Sequence, residues 1–354
     1  MKKRPIPTSL SGFTLVEVLV VSALTLLLIA GVYTLISCAN VLTYKSFAIN
    51  STGTESHLAL DQLQGALQTA YTVPTPIDST GAVISGTLSI KGTAAIASGM
   101  APVVSAGTSA EITGTGAGIK FKRYVGGPYI PVIPSGGLSG TATTITIELD
   151  NNALPPPPLP KANDILLINT TALQGAEGFQ AWATVSGSPT LVSTSGSRVK
   201  YSVPLTSPML DKEKDGTAIT SIAYQTDNQG NAVSYSASLL RPTAFLFSAR
   251  GNKTELGMID SYSMSNGKVV LTGNNYVTLT REIDTNSSNP SRFAIVSIKN
   301  EISMESKTFV SVVLRIRSSD YDNYLANKQN DGFCTFMGFS ALINLKSTPD
   351  STIP

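Results

Sequence analysis

The sequence predicts an α+β protein in which a long N-terminal α-helix packs on a β-rich, mostly antiparallel globular body. Three observations predict it. From Phe13 to Ile36 the only charged residue is Glu17. Leu60, Leu63, Leu67 and Tyr71 then recur at i, i+3, i+7 and i+11, one face of a helix, with Ala59, Ala66 and Ala70 beside them. The remainder is rich in Ser, Thr, Gly, Ala and Val in short alternating runs, a composition that favours strands and turns over helices.

Composition narrows the function classes. The 354 residues can hold one large domain or two. With 14% charged residues and a net charge of +2, the composition suggests neither a nucleic-acid-binding surface nor an acidic tail. Two cysteines, Cys38 and Cys334, lie at opposite ends and are too few for a disulfide framework.

Residues 1–12 form a basic leader carrying Lys2, Lys3 and Arg4. Residues 13–40 follow as a transmembrane helix. At about 1.5 Å per residue, Phe13 to Ile36 extends about 36 Å, against a hydrocarbon core of about 30 Å. The leader's positive charges hold their side in the cytoplasm, so the C-terminal body is expected across the membrane. The apolar stretch is too long for an ordinary secretory signal, and the small residue Gly12 stands before it rather than after it. A leader removed ahead of a retained helix fits that order.

The arrangement resembles the N-terminus of the type IV prepilin and pseudopilin family. The match is residue by residue: Gly12 as the last leader residue, Phe13 as the first mature residue, then "TLVEVLV" with Glu17 as the fifth mature residue. The resemblance implies cleavage of Gly12–Phe13 by a prepilin peptidase on the cytoplasmic face and N-methylation of Phe13. It implies assembly through the helix with other pilin or pseudopilin subunits and with an inner-membrane assembly platform. The resulting filament would be a type IV pilus or a type II secretion pseudopilus, reaching from the bacterial inner membrane to the periplasm or cell surface. The body's size fits a minor rather than a major subunit.

The resemblance gives Glu17 a role. A carboxylate in hydrocarbon seeks a cation, and cleavage creates one at the amino group of Phe13. In the family, the glutamate of one subunit is read as pairing with the amino terminus of its neighbour. A second reading stays open: Glu17 lies one turn from the helix start, where the macrodipole and nearby headgroups tolerate an anion, or it pairs with its own amino terminus. The sequence departs from the family in having Thr34, with Gly31 nearby, where many pilins carry a helix-loosening proline.

Residues 41–73 are read as an amphipathic stalk helix, bent or interrupted at Thr52-Gly53 and ended by Pro74 and Pro76. Residues 74–154 read as a Gly/Ser/Thr-rich β insertion containing "TITIEL". Residues 155–354 form the β-rich C-terminal body. It opens with "PPPPLP", expected as a connecting polyproline segment, and "NDILLIN", a buried strand. A hairpin is expected between "SIAYQ" and "AVSYSASLL" through "TDNQGN", with Asp227, Asn228 and Gly230 as turn residues. Half-buried strands run through Val310, Val312, Leu314 and Ile316 and through Phe339, Ala341, Ile343 and Leu345. The order of hairpin, "LLRP" and two closing strands is similar to that of large minor pilins and the J-type pseudopilin of type II secretion.

No catalytic, cofactor or metal set is expected. The single histidine, His57, falls on the stalk, so a Ser/His/Asp or Cys/His site would have to form there. "GTGAG", Gly114 to Gly118, lacks dinucleotide-loop spacing and reads as a flexible turn. "DKEKDG" opens like a calcium loop but has Ile222 where a bidentate glutamate belongs, and "SDYDN" reads as an exposed turn.

A reading from another class also stands. "LISC", Leu35 to Cys38, satisfies the lipobox at which a lipoprotein signal is cut and Cys38 lipidated. A third reading is a surface binding protein anchored by an uncut helix.

Overall fold

The computed structural model describes residues 14–84, 87–91, 108–169, 180–206, 208–211, 217–224, 235–250, 253–270, 275–280, 283, 291–300, 303, 306–316 and 337–345. By its internal contacts the chain divides between Thr52 and Gly53. In the first unit, the described part is helical to Thr52; the second holds the strands.

Helix α1 runs from Leu15 to Gln68. It passes through Thr52-Gly53 without interruption, where the sequence pointed to a bend or break. Its burial changes along its length. Within Leu15–Tyr44 the apolar residues are exposed, among them Leu15, Leu19, Leu28 and Leu35. Further on, Ala59, Leu63, Ala66 and Leu67 are buried. These four join Phe121, Phe245, Phe247, Phe293 and Val310 in one hydrophobic core, in which the Phe247 and Phe293 rings stack at 4.9 Å. Fully burying each leucine of the stripe contributes about 1.5–3 kcal/mol.

The expected stripe is thus present, but the helix ends before Tyr71 and well before Pro74. The amides of Tyr71 and Thr72 donate to the carbonyl of Lys122 at 2.7 and 3.2 Å, and the amide of Tyr124 donates to Thr69. Pairing with a strand edge takes over the backbone groups that another helical turn would have used.

Among the described residues, an eleven-stranded antiparallel sheet dominates the second unit. Two 15-residue strands, Gly118–Val132 and Ser236–Arg250, pair at its centre, with Lys122 opposite Pro242 and Phe121 opposite Thr243. Ile165–Asn169 and Gln180–Thr184 extend the sheet to one side, Thr144–Asp150, Arg198–Pro204 and Thr190–Ser195 to the other. A five-stranded sheet has the order Thr87–Lys91, Thr108–Gly116, Arg292–Asn300, Ser306–Ile316, Met337–Asn344.

Several expectations hold at residue level. Ile145, Ile147 and Leu149 are the buried face of Thr144–Asp150, and Ile165 to Ile168 are all buried. Within residues 74–154, Gly118–Val132 is a central strand of the main sheet. Other expectations are corrected. "SIAYQ" does not pair with "AVSYSASLL": Ser221–Ile222 pairs with Leu138–Ser139, while Ser236–Arg250 pairs with three longer strands. The turn residues Asp227, Asn228 and Gly230 lie outside the described residues. Ser306–Ile316 is buried on both faces, since Ser311 and Val313 are buried as well as Val310, Val312 and Leu314. Of the last strand, Ile343 and Leu345 are buried; the side chains of Phe339 and Ala341 lie outside the described set.

"GTGAG" is a crossing between sheets rather than a flexible turn. Thr108–Gly116 belongs to the five-stranded sheet and Gly118–Val132 to the eleven-stranded one. A Cβ on Gly116 would lie 2.5 Å from the Ile77 carbonyl oxygen, and one on Gly118 would lie 2.4 Å from that of Phe245. Only glycine admits such close backbone approach. "PPPPLP" also does more than connect: the Tyr129 hydroxyl donates to the Pro158 carbonyl at 2.6 Å and Pro160 is buried.

Candidate functional site

The start of α1 is built by two residues. Thr14 precedes the first helical residue and Glu17 stands three positions later. The Glu17 carboxylate accepts from the Thr14 amide at 2.9 Å and from the Thr14 hydroxyl at 3.0 Å. In return the Glu17 amide donates to the Thr14 hydroxyl oxygen at 3.3 Å. This is a capping box, T-x-x-E, in which each side chain satisfies backbone donors that have no partner inside the helix. The pattern stands in the sequence immediately ahead of the apolar run and was overlooked there. Its consequence is chemical: within a single chain, Glu17 already has two hydrogen-bond donors.

The span Leu15–Tyr44 is long and apolar enough to cross a membrane, and none of its most apolar window is buried. By length and composition alone, such a helix near the N-terminus serves equally as an anchor or a signal sequence. Inside it, the hydroxyls of Ser22, Thr25, Thr34 and Thr43 donate to carbonyls three or four residues back. Each polar side chain is thereby satisfied by its own helix, which lowers the penalty for placing it in hydrocarbon.

Gly12 and Phe13 lie outside the described residues, so of the three residues that the resemblance singles out for processing and assembly only Glu17 is placed. Cys38 is exposed and free within continuous helix, and Cys334 is outside the described set. His57 is exposed on α1. The "SDYDN" run, and "DKEKDG" beyond Asp211, also fall outside the described residues.

A scan against models of known protein families finds no match, and a search of curated proteins finds none either.

Sequence reasoning passed over a second group. Lys120 and Lys122 stand on one face of a central strand, beside a cleft that Trp182 and Tyr262 also line. The signal was the alternation in "GIKFKR", where Ile119 and Phe121 face the core and the two lysines do not.

Proposed function

We propose that this chain is a minor pilin or pseudopilin: a subunit anchored by α1, processed after Gly12, and assembled through α1 into a type IV pilus or secretion pseudopilus. The observation that carries the reading is the change in burial along one continuous helix. Its first part leaves an apolar surface that needs lipid or other helices to cover it, and its last turns are fastened into an antiparallel body. A cleaved or purely anchoring segment needs no such continuity with the core.

In this reading the capping box holds Glu17 in the unassembled subunit, and cleavage leaves it intact because Thr14 remains an internal residue. On assembly the carboxylate exchanges the Thr14 donors for the new ammonium of Phe13 on a neighbouring subunit. The ammonium adds a full opposite charge, which the uncharged Thr14 donors lack, so in a low-dielectric environment the new pair is the stronger one. Prepilin peptidase, fellow subunits and an inner-membrane platform are the partners this requires, and the body lies outside the cytoplasm. Replacing Glu17 by Ala tests it: the chain stays in the membrane fraction and is lost from sheared filaments. Undiminished incorporation of Glu17→Ala contradicts the proposal.

A further inference from the structure

Lys120 and Lys122 occupy alternate positions of Gly118–Val132, so their side chains leave the sheet on the same side, about 7 Å apart along the strand. Both line a cleft of about 550 Å³, a volume ordinary for small-molecule sites. Its floor includes Ile165 and Trp182, both buried, and its rim includes Met264, which is exposed.

The neighbouring cations are matched. Arg123, next in sequence, meets Asp260 at 2.9 Å, and Thr243 donates to the same carboxylate. Arg241 meets Asp164 at 2.8 Å, and Ser261 and the Lys161 amide complete that carboxylate's shell. Lys122, half-buried on the opposite face of the strand from Arg123, pairs with no carboxylate among the described residues. Among the described residues Lys120 reaches only the Met264 sulfur, at 3.8 Å. Burial lowers both ammonium groups below the ordinary lysine range, and for Lys122 the charge of Lys120 adds to the effect. Two unmatched cations on one wall of a cleft are an unfavourable arrangement that an anion relieves.

The opposite requirements are also met. Trp182 is 7% exposed and its indole N–H, buried, has no acceptor among the described residues. Thr184 and Ser263 add hydroxyls to the lining, and Tyr262 a second aromatic ring. Positive charge, hydroxyls and an apolar aromatic wall together match a ligand with an acidic group on a ring-sized body.

The geometry points to this cleft as a binding site for a small organic anion, a carboxylate or phosphate carried on a ring, with Lys122 and Lys120 holding the acid and Trp182 lining the ring's place. The test is calorimetric titration of the full chain in a non-ionic polyoxyethylene detergent with glucuronate, glucose 1-phosphate and glucose. The two acids distinguish carboxylate from phosphate, and glucose reports the ring without charge. At least one acid is expected to bind about tenfold or more tightly than glucose, with Lys122→Met removing that advantage and Lys122→Arg keeping most of it. Lys122→Met retains an apolar stem, and an unchanged or raised melting temperature shows that it folds. Equal affinity for acids and glucose, or acid binding unaffected by Lys122→Met, overturns the inference.

Discussion

Thr14 and Glu17 hold each other: the threonine amide and hydroxyl both donate to the glutamate carboxylate, and the glutamate amide donates back to the hydroxyl oxygen. Under the proposed function, capping and subunit assembly draw on this one carboxylate, and substitutions can separate them. Thr14→Ala removes the hydroxyl and keeps the anion, so helix onset weakens while filament incorporation persists. Glu17→Gln keeps a hydrogen-bond acceptor and removes the charge, so capping persists while incorporation falls. Sheared-filament yield, with membrane-fraction abundance as the control, measures both. Equal loss in the two variants contradicts the division of roles.

Fastening of α1 to the body predicts an asymmetry in stability. Leu63 is fully buried and Leu58, five residues earlier, is exposed. Leu63→Ala is expected to destabilise the body by about 2–5 kcal/mol through lost burial and the cavity left behind. Leu58→Ala is expected to fall within about 0.5 kcal/mol of the parent. Denaturant melts monitored by Trp182 fluorescence decide this, and equal effects contradict the burial pattern.

This stripe also shows what the sequence makes legible and what it does not. Periodicity identified Leu63 and Leu67 because a helix buried on one side must repeat at 3.6 residues. It could not place the helix end, because Tyr71 and Thr72 leave the helix for the Lys122 carbonyl, a partner about 50 residues away in the chain. Alternation likewise found Ile145, Ile147 and Leu149, whereas pairing partners are non-local: Ser221–Ile222 joins Leu138–Ser139 despite an adjacent turn sequence. Gly116 and Gly118 looked like a turn because their real constraint, backbone of Ile77 and Phe245 pressed against them, exists only after folding. At the site, the position of Glu17 one turn from the helix start was legible, whereas its reciprocal hydrogen bonds with Thr14 are a matter of geometry.

The Asp164–Arg241 pair is buried, with side chains 0% and 7% exposed. Removing one partner strands the other, so Asp164→Ala is expected to cost about 3–5 kcal/mol, measured by denaturant melts. Asp164→Leu combined with Arg241→Met leaves no buried charge and is expected to recover most of that loss. A double variant as unstable as the single one contradicts the account.

The Lys122 ammonium is brought down to about 8, first by burial and then by the charge of Lys120. The groups around it that titrate are Lys120, itself lowered, and Tyr262, whose hydroxyl burial raises. Because the folded value lies below the unfolded one of about 10.4, the unfolded chain holds more protons between pH 8 and 10. Stability contributed by this residue therefore rises with pH over that window. Lys122→Met is expected to melt above the parent at pH 7, with the gap closing by pH 10. A gap that does not change with pH contradicts the assignment.

The central claim is that α1 is retained and begins at a new amino terminus two residues before Leu15. Intact-mass and N-terminal analysis of the chain purified from the cell envelope tests it most directly. A mature protein starting at N-methylated Phe13 is the expected result; one starting at Met1 or at an acylated Cys38 contradicts it.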